Sequence, residues 1–174
     1  MEIESLEFKT EKEYKEFLDY LFSIRDLEYR DFNTKIVLPM DCEIIGIRTP
    51  ILRDIAKKIA KTSSENFLNF FEKLFLKKKI KYYEEKVLYG FLIGYSKMNY
   101  QDRLKRIDFF INIIDNWAVC DIVDSSFKFI NKNKEDFYKY LNSKLSATNP
   151  WEQRFIFVML LAYYVEDKYL KDIF

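Results

Sequence analysis

The stretch "PILRDIAKKIAKT", Pro50–Thr62, decides the fold class. Ile51, Ile55 and Ile59, with Leu52 and Ala56, recur at intervals of three and four, which places them on one stripe of an α-helix. Pro50 suits a first helical position because its missing N–H needs no partner there. Helix beginnings recur near Tyr82, Trp117 and Pro150, at intervals of 32, 35 and 33 residues, and each interval holds two helical segments. This period predicts an all-α fold, a right-handed α–α superhelix of stacked helical hairpins in which one helix of each pair can line a concave face.

The rest of the chain agrees. "TEKEYKEFLDYLFSIRD" (Thr10–Asp26) carries Tyr14, Phe17, Leu18, Leu21 and Phe22 behind a Thr10/Glu13 capping box. "NTKIVLP" (Asn33–Pro39) reads as a short helix stopped by its proline. "SSENFLNFFEKLFLKKK", "YYEEKVLYGFLIGYSK", "YQDRLKRIDFFINII", "WAVCDIVDSSFKFI", "NKEDFYKYLNSKL" and "PWEQRFIFVMLLAYY" follow, each predicted helical, with short polar connections. The sequence stops at "YLKDIF", inside an apolar-periodic pattern, so the expectation for residues 1–174 is a single repeat domain lacking its C-terminal repeats.

Composition narrows the chemistry. There is no histidine, which excludes Ser-His-Asp and Cys-His nucleophilic sites and removes the commonest zinc ligand. The two cysteines, Cys42 and Cys120, lie far apart; that argues against a disulfide framework or a zinc site and fits a reducing cytoplasm. The acidic, polar opening "MEIESLEFKTEKEYKEF" lacks a secretory leader's pattern, and no apolar run approaches a membrane span. Only three glycines are present, so hairpin-rich β architectures lack their turn residues.

Net charge is +1, but it is unevenly spread. Residues 1–31 carry five Lys/Arg against ten Asp/Glu, whereas residues 32–110 carry sixteen against nine. A basic middle suits a polyanionic partner, and an ordinary solvated lysine-rich surface explains it equally well. Within it, "GIRTPILRDIAKK" gathers Arg48, Arg53, Lys57 and Lys58 around a helix N-terminus, where backbone N–H groups readily meet phosphate oxygens.

Trp117, Asp121 and Asp124 fall at i, i+4 and i+7, on one stripe of the helix expected from Trp117. A half-buried carboxylate needs a partner. Arg154, three residues after Trp151 and one repeat further along, is the natural candidate for Asp121. A packed tryptophan with an inter-repeat salt bridge is one reading; a functional site is the other. Glu84 and Glu85 open the helix after Tyr82, where carboxylates favour the dipole, and the stacking would bring them to the same groove edge as Trp117. A carboxylate metal site of Glu84, Glu85, Asp121 and Asp124 has no supporting spacing motif, and no metal or cofactor is expected.

"GIRTPILRDIAK", "YEEKVLYGFLIGY", "DNWAVCD" and "WEQRFIFVMLLAYY", in this order over about Asn33 to Tyr164, resemble the DNA alkylation repair enzymes of the AlkD-like, HEAT-repeat type. The resemblance implies a helical solenoid that binds duplex DNA in a basic concave groove and hydrolyses the N-glycosidic bond of cationic alkylated purines without flipping the base, unlike most enzymes that act on bases. It assigns Trp117, Asp121 and Arg154 to catalysis. The helix faces read above add Trp151, Asp124 and Glu85 on the substrate side and Arg48, Arg53, Lys57 and Lys58 on DNA phosphates. In the family a second lesion-site indole comes from a helix after the W-x-Q-R helix, which this sequence ends before reaching. The implied protein is a cytoplasmic monomer whose partner is alkylated duplex DNA, with no membrane and no obligate protein partner. A non-catalytic module binding damaged or branched DNA, and a protein-binding scaffold, are the alternatives the same fold allows.

Overall fold

Helices α3 (Thr49–Thr62), α5 (Tyr83–Tyr95), α7 (Trp117–Asp121) and α9 (Pro150–Tyr163) stack side by side as one row, each packed on the next. Their first residues stand 34, 34 and 33 apart, close to the period in the sequence. Between them run α4 (Ser64–Leu76), α6 (Tyr100–Ile113) and α8 (Lys134–Asn142). At the N-terminal end lie α1 (Glu11–Ser23) and α2 (Leu27–Ile36), and short 3₁₀ segments occupy Ile3–Ser5, Asp124–Ser126 and Lys128–Lys132. The computed structural model describes residues 2–37 and 41–169. Among these there is no strand; one parallel bridge joins Glu43 to Tyr82. The fold is an all-α solenoid.

Local chemistry sets the helix starts. The Thr10/Glu13 capping box is present at α1. Asp26, Asn99, Asn116 and Asn149 accept backbone N–H groups in the first turns of α2, α6, α7 and α9. The short helix expected over Asn33–Pro39 is instead the end of α2, which begins at Leu27; positions 38 and 39 fall outside the described residues. Its apolar stripe was hidden because Leu27, Phe32 and Ile36 are exposed rather than turned to a core.

Helix α5 is the buried centre, with nearly every residue from Tyr83 to Ile93 inside. Its glycines matter at one place above all. A Cβ on Gly94 would stand 2.5 Å from the carbonyl oxygen of Ser126, so only a hydrogen there lets the segment after α7 lie against α5. On the side of α9 away from the core, Phe157 and Leu161 are exposed. The apolar continuation expected through Phe174 lies, from residue 170, outside the described residues.

The helix expected over Trp117–Ile130 breaks after Asp121. Side chains there compete for the main chain: Asp124 takes the Ser125 N–H, and the Ser126 hydroxyl donates to the Val123 carbonyl. No helix among the described residues is long and apolar enough to cross a membrane.

Candidate functional site on the inner helices

Helix α7 is barely more than one turn, and a helix so short is held by its surroundings rather than by its own propensity. Asn116 caps it, and the Trp117 indole N–H donates to the Ile36 carbonyl at the end of α2, 3.2 Å away. Trp117 stays 38% exposed. One turn on, Asp121 meets Arg154 of α9 in a two-point fork: Nε to Oδ1 at 2.8 Å and Nη2 to Oδ2 at 2.5 Å. Hydrogen bonding to Asp121 comes first among the causes that raise the Arg154 pKa above its usual value.

The fork joins side chains that are 42% and 33% exposed. An ion pair in such solvent contact contributes roughly 0–1 kcal/mol, too little to account for it as a stability device. Beside it the Cys120 thiol is fully buried, and burial pushes its pKa up to about 12. Burial likewise pushes Cys42 up to about 12, so neither cysteine offers a thiolate near neutral pH.

The main chain after Asp121 is pinned from two sides. Arg53 of α3 lies over the Phe91 ring of α5 at 4.6 Å and donates to the Tyr95 hydroxyl at 3.3 Å and to the Ile122 carbonyl at 3.1 Å. Tyr163, the last residue of α9, donates to the Asp124 carbonyl at 2.5 Å. Burial, then Asp124 and Tyr95, raise the Tyr163 pKa to about 12, which keeps its hydroxyl a proton donor. Lys57 lies over the Tyr95 ring. Tyr95 and Tyr163 had no place in the sequence reading. Their one signal is register, since each closes a helix of the inner row.

Several expected site residues are placed elsewhere. Asp124 is beyond the end of α7, so it does not continue the Trp117–Asp121 stripe. Its carboxylate turns back onto the Ser125 N–H. Trp151 is half-buried against the core in the first turn of α9. Glu85 does not reach the groove edge: it is 1% exposed, accepts the Tyr14 hydroxyl at 2.6 Å and caps its own helix through the Lys81 and Tyr82 N–H groups. Glu84, fully buried, accepts the N–H groups of Ile45, Gly46 and Ile47. Burial raises the pKa of both carboxylates, against those hydrogen bonds. Glu84 organises the loop before α3 and Glu85 ties the start of α5 to α1, and both are closed to solvent.

The four cations are not one patch. Arg48 pairs with Asp26 and Lys57 with Asp54, and Arg53 is spent on the Ile122 carbonyl and Tyr95 hydroxyl. Lys58 points to a separate depression shared with Glu2, Glu4 and Tyr20. Among the described residues no group of three or more His, Cys, Asp or Glu is placed to hold a metal ion.

The sequence profile of the family described as DNA alkylation repair enzyme matches residues 9–174. The chain belongs to that family. Membership covers nearly the whole chain and gives it a role in DNA repair, with DNA as partner. Comparison with curated proteins and with solved structures returns no match. Membership bears on how the inner face is read: the Asp121–Arg154 fork, flanked by an exposed indole, lies on a DNA repair fold.

Proposed function

We propose that this DNA alkylation repair protein is a glycosylase of HEAT-like architecture that hydrolyses the N-glycosidic bond of cationic alkylated purines, such as 3-methyladenine and 7-methylguanine, in duplex DNA without base flipping. The observation that carries the reading is the exposed Trp117 indole one helical turn from the partly exposed Asp121 carboxylate, both on α7. An indole face attracts a cation. As the C1′–N bond breaks, its electron pair goes to the base, which leaves neutral, and positive charge moves to the sugar. Asp121 stabilises that charge and takes the proton of the water that adds to C1′. The base leaves as a neutral purine, so no general acid is required, and the lack of histidine is no obstacle. A DNA phosphate offers Arg154 a second anion, which frees the carboxylate for the lesion. Cys120 is buried and Cys42 partly so, and burial keeps both thiols protonated, which disfavours alkyl transfer to cysteine as the repair chemistry.

One observation favours a second reading, a non-catalytic module that binds damaged or branched DNA: in the free protein both Asp121 oxygens are occupied by Arg154. Asp121→Asn separates the two. Under the glycosylase reading it lowers release of 7-methylguanine or 3-methyladenine from alkylated duplex by about a hundredfold or more, with duplex binding and thermal stability nearly unchanged. Reduced stability without any change in excision would assign the pair to packing. No excision by the wild-type chain, with duplex binding intact, would leave the binding module.

A further inference from the structure

The cations that the sequence placed on phosphates are mostly committed inside the molecule, as described above. Lys58 has no ion pair among the described residues, and a denser group of such lysines lies at the turn between α4 and α5. Lys73, Lys77, Lys78 and Lys81 fall within nine residues and are exposed. None has an ion-pair partner among the described residues, whereas Lys79 between them pairs with Glu11.

The backbone of this turn is informative. Lys79 N–H donates to the Leu74 carbonyl and Lys78 N–H to the Phe75 carbonyl, the double closure of a helix C-terminus that puts the residue after the cap in the left-handed region. That residue is Lys78, at φ +56°, where glycine or asparagine is the stable choice. Beside it Leu76 is 77% exposed. A favourable meeting of cations with the helix dipole explains Lys73 and Lys77. It explains neither a lysine at the left-handed position nor Lys81 beyond it. Departures from local rules of this kind cluster at functional positions.

The turn also adjoins the site. Leu76 and Lys78 line a depression of about 650 Å³ together with Asn112–Asp115, the segment that leads into Trp117. The buried Lys86–Asp115 pair, at 2.7 Å, fixes the start of α5 to that segment.

We infer that the α4–α5 turn is a phosphate-gripping element: Lys73, Lys77, Lys78 and Lys81 hold the sugar–phosphate backbone of duplex DNA beside the α7 site. The inference rests on DNA as the partner and is independent of whether the chain excises bases. Short, repeated cationic contacts without a fixed hydrogen-bond fork suit a backbone held by charge rather than a base read by shape.

The test uses the full chain and an undamaged labelled duplex, with affinity measured across salt concentrations. Replacing all four lysines by glutamine is expected to weaken binding at low salt at least tenfold and to reduce the slope of log K against log salt by about 3.6, given roughly 0.9 per phosphate contact. Lys78→Gly is the second variant: it is expected to melt higher than wild type yet bind more weakly, since it relieves the backbone and removes a contact. An unchanged salt slope in the fourfold variant overturns the inference. So does a wild-type chain that ignores duplex DNA, or one whose lysine-dependent binding is to anionic vesicles instead. Loss of excision alone, with lysine-dependent duplex binding retained, overturns the glycosylase reading and leaves this one standing.

Discussion

Arg53 reaches across the buried helix α5 to the main-chain carbonyl of Ile122, the residue after Asp121. The contact links three successive inner helices, because the same guanidinium lies on Phe91 and touches the Tyr95 hydroxyl. It satisfies a carbonyl that the abrupt end of α7 leaves without a helical partner. Arg53 is therefore placed to position Asp121.

That placement gives a first prediction. Arg53→Lys keeps the charge but loses the planar, multi-donor geometry. Under the proposed glycosylase activity, single-turnover excision at saturating DNA is expected to fall about tenfold or more, since a small misplacement of a reacting group is costly, while affinity and its salt dependence hold. A phosphate-binding arginine would show the opposite split, with weaker binding and an unchanged saturated rate.

Tyr163→Phe removes the hydroxyl that holds the Asp124 carbonyl from the other side. Loss of one such hydrogen bond costs about 0.5–1.5 kcal/mol. Amide hydrogen exchange over residues 119–126 should accelerate in this variant, with α1 and α4 unaffected. Equal protection in mutant and wild type would show that the bond does not hold the turn.

Gly94→Ala tests the close approach of α5 to the segment after α7. The new Cβ would stand 2.4 Å from the Ser126 hydroxyl oxygen and 2.5 Å from its carbonyl oxygen, and main chain cannot swing aside as a side-chain tip can. Overpacking of this kind typically costs about 1–3 kcal/mol, more than alanine's better helix propensity returns. Chemical denaturation measures it; a variant as stable as the wild type would mean that the 124–126 segment yields freely.

Glu85 carries a pH prediction. Burial raises its folded-state pKa above the unfolded value near 4.5, so between those two values the folded chain holds the extra proton. Stability associated with this group is then present below about 4.5 and declines as pH rises through the folded-state value. Glu84 acts in the same direction. Glu11, Glu13 and Asp26, whose pKa values are lowered, act in the opposite sense and at lower pH, their contribution fading as pH falls below 4.5 or 3.8. Thermal melts of Glu85→Gln from pH 4.5 to 7.5 should decline less with rising pH than those of the wild type. Identical slopes would place the Glu85 titration at its unfolded value.

Much of this was legible in the sequence. The stripe from Pro50 and the repeat of helix starts are properties of single helices, and local periodicity records them. The Asp121–Arg154 contact was readable too, because a repeat architecture turns an offset of 33 residues into adjacency. What escaped depended on neighbours distant in sequence. Glu85 reads as a solvated first-turn acid until Tyr14, 71 residues earlier, is seen to cover it. Arg53 reads as a surface cation until the end of α7 supplies it with a carbonyl. The close approach of Ser126 to Gly94, thirty-two residues earlier, likewise has no counterpart in the helical pattern near Trp117.

The Asp121–Arg154 fork has a mechanical meaning as well. It ties α7 to α9, which are neighbours in the row, and Arg53 ties α3 to the end of α7 across α5, so both contacts bridge different units of the solenoid. The carboxylate thus sits at a joint between stacked units rather than inside one of them. A change in how neighbouring units meet alters the gap at that joint, and with it the spacing between Asp121 and its counter-ion. Under the proposed function, a duplex lying along this row of helices bears on the joints, and through them on the charge that Asp121 presents.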